Sequence, residues 1–243
     1  MTTEQTENHR SAHLGATGSY SQGNNAAFES QMATRTVTHD AAFMLPYLHP
    51  GMDLLDAGCG PGSITVGLAE VVAPGNVVGV DFQIAQVERA SALGADRGMN
   101  NVRFETADLH QLPFTDGSFD AVFCNAVLMH LRQPLPVLRE LRRVLRPAGV
   151  IGIRNPDFGT IVIAPLTPLL EQRDALARRV QQHVGVNGFV GRDHRRLLLE
   201  AGFARTEATA SLNCGGSLEG TRRVAQFLKA QSWGHARTAL AED

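Results

Sequence analysis

Residues 54–62 read LLDAGCGPG, and this stretch decides the fold. Residues 53–57 (DLLDA), mostly apolar and too few for a helix, run into glycines at 58, 60 and 62. That is a buried strand ending in a tight turn where the backbone can approach a ligand closely. The spacing misses G-x-G-x-x-G by one residue, because Ser63 follows Gly62. It also lacks the Gly-Lys-Ser/Thr ending of a phosphate-binding loop. Residues 63–72, SITVGLAEVV, read as a helix stopped by Pro74-Gly75.

The alternation continues outward from this turn. Residues 77–80 (VVGV) are a second strand ending at Asp81, and 84–93 a second helix. Residues 102–106 and 119–124 (FDAVFC) are the third and fourth strands. A helix over 136–145 carries Val137, Leu138, Leu141, Val144 and Leu145 at helical spacing and stops at 146–149 (RPAG), before a fifth strand at 150–154. Short apolar runs alternating with helices give βαβ units. The expected fold is α/β: a doubly wound, Rossmann-like, mostly parallel sheet binding its ligand at the carboxyl ends of the strands.

The flanks read differently. Residues 1–25 are a polar, mobile segment, and 26–243 form one domain. Residues 26–48 give an N-terminal helical lid, and 156–191 an insertion covering the ligand edge. A helix over 193–201, a strand over 204–213 and a helix over 221–232 follow, and the terminal HARTALAED looks helical.

Composition narrows the function classes. The chain has 243 residues, 43% of them hydrophobic, which suffices for a sizeable core. A formal net charge of -2 provides no global field for nucleic acid or an anionic membrane. All basic residues but Lys229 are arginine, which reads as genome composition. No apolar run approaches the ~20 residues of a membrane span, and the N-terminus lacks the apolar core of a secretory signal. Cys59, Cys124 and Cys214 form neither a disulfide framework nor a metal motif. A cytoplasmic protein without a metal is expected.

Candidate ligand residues stand where strands end. Asp81 can accept two hydrogen bonds from the vicinal hydroxyls of a ribose. Ala107-Asp108-Leu109 follows the third strand, and Asn125 ends the fourth. Four segments in order, LLDAGCGPG, VVGVD, ADLHQLPFTDGSFDAVFCNAVLMHL and LRELRRVLRPAGVIGIR, resemble class I S-adenosylmethionine-dependent methyltransferases. The likeness is to the ubiquinone/menaquinone-biosynthesis-like (type 11) branch. It is continuous from about residue 44 to 157, with echoes at HRRLLLEAGF.

The resemblance implies S-adenosylmethionine as cofactor, and a small, fairly apolar metabolite is the expected acceptor, which Ile161, Val162, Ile163, Leu166, Leu169 and Leu170 of the insertion suit. Asp56 and the backbone of Gly58, Cys59 and Gly60 then hold the methionine portion. Asp81 binds the ribose, Phe82 packs near the adenine, Asp108 accepts from the adenine amino group with the Leu109 backbone beside it, and Asn125 lies under the sulfonium. A cationic sulfonium and ammonium suit the acidic pocket that Asp56, Asp81 and Asp108 supply.

Methyl transfer rests mainly on proximity and needs a base only for a protonated acceptor. His130 is the candidate, since an ordinary imidazole titrates near ~6.5. A His packed at the start of a helix is the competing reading. Asn155 and Asp157 are placed to bond the acceptor or to cap their loop, and Arg35 and His39 to close over the cofactor. Arg139, Arg142, Arg143 and Arg146 read as a solvated face. Two other functions stay open: a non-methylating cyclase or regulatory protein binding the same cofactor, and a nicotinamide-dependent oxidoreductase, which Ser63 argues against. A homodimer also stays open, and no nucleic-acid partner is expected.

Overall fold

Leu54 and Leu55 are adjacent and both fully buried, yet they belong to different hydrophobic cores. Successive strand residues point to opposite faces, so this strand is covered on both sides. The computed structural model describes residues 32–229 apart from 184, 215, 223 and 227. Its strands are β1 (Leu54–Ala57), β2 (Val77–Asp81), β3 (Val102–Thr106), β4 (Phe119–Asn125) and β5 (Leu145–Arg154). They form one parallel sheet in the order β3-β2-β1-β4-β5. The winding reverses between β1 and β4, which creates a crevice at their carboxyl ends.

The helices are α1 (Val37–Asp40), α2 (Ser63–Val72), α3 (Ile84–Asp96), α4 (Pro134–Val144), α5 (Pro168–His183) and α6 (His194–Glu200). Ile64, Leu68 and Val72 of α2 bury against Leu54, Val77 and Phe123 on one face. Val137, Leu138 and Leu141 of α4 and Leu197 of α6 bury against Leu55, Val78 and Val122 on the other. Close approach needs glycine at two places. A Cβ on Gly67 would meet Val37 at 2.8 Å, where α1 crosses α2, and one on Gly62 would meet Ala90 of α3 at 2.8 Å. Residues 37–48 are thus packed onto the domain, with Phe43 and Phe123 rings 6.3 Å apart.

Two expectations change. Residues 204–213 form no strand and lie mostly exposed. Their apolar members are chiefly alanines, which bury too little area to hold an edge strand against the sheet. Second, β5 begins at Leu145, directly after α4, instead of after the RPAG stop. Ala148 adopts a left-handed φ of 67° there, and the pairing with β4 shifts register between Phe119 and Ala121. Residues 1–25 and the terminal HARTALAED lie outside the described residues.

Candidate functional site

The glycine turn and the tip of β2 are bonded into one unit. Gly58 N–H and Cys59 N–H donate to Val80 O at 2.8 and 2.9 Å. Gly60 N–H donates to Asp81 Oδ2 at 3.0 Å, and Gln83 N–H to Asp81 Oδ1 at 3.0 Å. Gly58, Gly60 and Gly62 all have positive φ, at 83°, 53° and 80°. Their surroundings differ. A Cβ on Gly58 would run into Val127, just after β4, whereas one on Gly60 would meet nothing within 4 Å. Gly58 therefore serves packing at the switch point, and Gly60 borders open space.

Behind the turn sits Asp56, 2% exposed. Its Oδ2 accepts the Thr65 hydroxyl at 2.6 Å. Burial pushes its carboxyl up to about 7; the Thr65 hydroxyl opposes that and the Asp81 carboxylate adds to it. Burial also raises Asp81, against the N–H donors of Gln83 and Gly60. Asn125 closes the group from the end of β4, and its Oδ1 is buried without a hydrogen-bond partner. Two desolvated carboxyl groups and an unanswered amide oxygen make a group rich in acceptors, whose carboxyls already accept from Gly60, Gln83 and Thr65. It suits a ligand carrying positive charge and N–H donors, and Asp56 sets it against a pyrophosphate.

The other residues anticipated from sequence lie around this group. Phe82 is 39% exposed beside Asp81, an apolar face at the crevice rim. Asp108 follows β3 and is largely exposed; its Oδ1 accepts from the His110 N–H at 2.9 Å and lies 2.8 Å from His110 Nδ1. It therefore does not join the buried acidic group with Asp56 and Asp81. Leu109 is half-buried against the core. Burial pushes the Cys59 thiol up, with Asp56 and Asp81 adding, which favours the protonated thiol.

His130 ends a 3₁₀ turn, Leu128–His130, that follows β4. Burial pushes its pKa down to about 4, with the Arg35 charge adding. This corrects the expectation of titration near neutrality, because the ring is desolvated. Arg35 thus acts on His130, whereas His39 is engaged elsewhere, 3.4 Å from Asp40 and 3.0 Å from Asn213. Asp157 caps Gly159 at 2.8 Å and pairs with Arg192 at 2.7 Å, the loop-capping role. The arginine face is an ion-pair network: Arg143 holds Glu140 and Asp116, and Arg146 holds Asp53 and Asp120. The sequence reading missed Thr65, whose signal was a lone polar side chain on the buried face of an apolar helix.

A doubly wound parallel sheet with a glycine turn and an acidic β2 tip defines a nucleoside-binding α/β domain. A family profile described as a methyltransferase domain matches residues 48–202. The chain belongs to that family, the class I S-adenosylmethionine-dependent methyltransferases. An uncharacterised methyltransferase of Schizosaccharomyces pombe is 32% identical over 92% of this chain and 83% of its own length. The 27-O-demethylrifamycin SV methyltransferase of Amycolatopsis mediterranei is 36% identical over 70% of this chain and 60% of its own. The crystal structure of the YcgJ protein from Bacillus subtilis matches with a TM-score of 0.54 and 25% identity, covering 67% of each chain. The chain spans less than two thirds of the length of several curated relatives, 44% of one and 54% of another.

Proposed function

We propose that this chain transfers a methyl group from S-adenosylmethionine to a small, fairly apolar metabolite. The bound cofactor supplies an activated methyl group on a sulfonium, so the protein's work is binding and orientation. Asp56 and the backbone of Gly58, Cys59 and Gly60 take the methionine end. Asp81 receives the ribose hydroxyls, Phe82 packs near the adenine, and Asp108 with the Leu109 backbone receives its amino edge. Asn125 lies under the sulfonium, facing the substrate, where its buried Oδ1 meets positive charge. The observation that carries this reading is the buried, acceptor-rich group of Asp56, Asp81 and Asn125 beside the open face of Gly60.

His130 is the proton acceptor for a hydroxyl or thiol substrate. With its pKa near 4 the ring is neutral at neutral pH, ready to accept but weakly basic. The apolar class of the acceptor is supported by Ile161, Val162, Leu166 and Leu169, which the insertion leaves exposed. A relative named for O-methylation of a rifamycin agrees with that class. Among the described residues no helix is long and apolar enough to cross a membrane.

The test is mass spectrometry of a metabolite extract incubated with the chain and methyl-labelled S-adenosylmethionine. A labelled apolar product that disappears with Asp81→Ala is expected. Cofactor binding without any labelled product would favour a cyclase or regulatory protein instead.

A further inference from the structure

The 3₁₀ turn Leu128–His130 has little local support. His130 N–H donates to Val127 O at 2.9 Å and Leu131 N–H to Leu128 O at 3.2 Å. The turn also follows Ala126, whose φ of 59° lies in the left-handed region that alanine disfavours. Leu128 and Met129 bury their side chains in the core, and the middle peptide is bonded to residues outside the turn. Met129 N–H donates to Asn155 Oδ1 at 3.3 Å, and Met129 O accepts the Asn187 N–H at 2.8 Å. Asn155 Nδ2 lies 3.0 Å from His194 Nε2.

The Asn155 amide has one consistent orientation. Met129 N–H requires an acceptor, which assigns Oδ1 to it and leaves Nδ2 as the donor. His194 Nε2 must then be unprotonated. Burial lowers the His194 pKa and favours that state, with the Asp193 carboxylate acting the other way.

We propose that Asn155, held by His194, is a positioning residue: it fixes the turn that places His130 at the acceptor edge, and its loss slackens that turn without opening the cofactor cleft. What the turn faces rests on the methyl-transfer reading, but the test does not use turnover.

The experiment is histidine-selective NMR titration of the full chain, with S-adenosylhomocysteine affinity measured by calorimetry. The charged group acting on His130 is Arg35, and that on His194 is Asp193. In Asn155→Ala the His130 pKa should rise by about one unit or more as the ring is solvated. Affinity for S-adenosylhomocysteine should stay within about twofold of the parent's. Asn155→Asp keeps the acceptor for Met129 N–H and sets a carboxylate on His194. It should raise the His194 pKa by about one unit or more and leave His130 depressed. If Asn155→Ala does not fold, His194→Gln and His194→Ala decide. Gln restores an acceptor and should keep His130 depressed, whereas Ala should not. His130 titrating in the Ala variants as it does in the parent overturns the proposal. Failure of the methyl-transfer reading shows separately, as no S-adenosylhomocysteine binding by the parent.

Discussion

The Thr65 hydroxyl donates to Asp56 Oδ2 at 2.6 Å, joining the first turn of α2 to β1 inside the core. This hydroxyl lowers the Asp56 carboxyl, and burial overrides it. A carboxylate is kept where water cannot solvate it, which costs stability in the free protein and suits a cationic ligand.

That cost is readable against pH. The Asp56 pKa rises from 3.8 to about 7 on folding, so within that window the folded state holds a proton that the unfolded state has lost. The stability contributed by this group is present below 3.8 and is lost as pH rises through about 7. Asp56→Asn should flatten the slope and raise the melting temperature of the ligand-free protein at pH 8 by about 5 °C. The same variant should bind S-adenosylmethionine at least ~10-fold more weakly. Thermal unfolding at pH 5 and pH 8 together with calorimetric titration checks both halves.

The two glycines that flank Cys59 should separate stability from binding. A Cβ at Gly60 would meet no neighbour within 4 Å. Gly60→Val should cost about 1–2 kcal/mol through its left-handed backbone, yet abolish binding of S-adenosylmethionine and S-adenosylhomocysteine. Gly58→Ala adds a collision with Val127 to the same backbone strain and should unfold at a lower temperature than Gly60→Val. Thermal melts and calorimetry on the two variants decide this.

His130 should act over an unusual pH range. Because it stays neutral above about 4, the acid limb of the turnover profile should fall near there, well below the ordinary histidine range. His130→Ala should lower turnover by roughly 10²–10⁴-fold with cofactor affinity nearly unchanged. A pH–rate profile for formation of the labelled product checks both statements.

The sheet was legible because each strand ends at its own punctuation: glycines after β1, Asp81 at β2, Asn125 at β4. The αβ alternation then left few topologies to choose from. Residues 204–213 misled because a threonine- and alanine-rich run alternates like a strand but carries one large apolar side chain, Leu212, which stays exposed. Asp56, Asp81 and Asn125 could be named from strand ends. Their company could not, since Thr65 reaches Asp56 only once α2 packs back on β1. The Asn155–His194 pair, 39 residues apart, leaves no trace in local pattern. Its partial burial, like that of His130, follows from long-range packing, which periodicity does not encode.

The central claim is that the tips of β1, β2 and β4 form an S-adenosylmethionine cleft. Calorimetric titration of the parent chain and of Asp81→Ala with S-adenosylmethionine, and of the parent with NAD, tests it most directly. One saturable site for S-adenosylmethionine is predicted, weakened at least ~10-fold by Asp81→Ala in a protein that melts cooperatively, with no NAD binding. Equal affinity of parent and Asp81→Ala, or saturable binding of NAD in place of S-adenosylmethionine, would contradict the account.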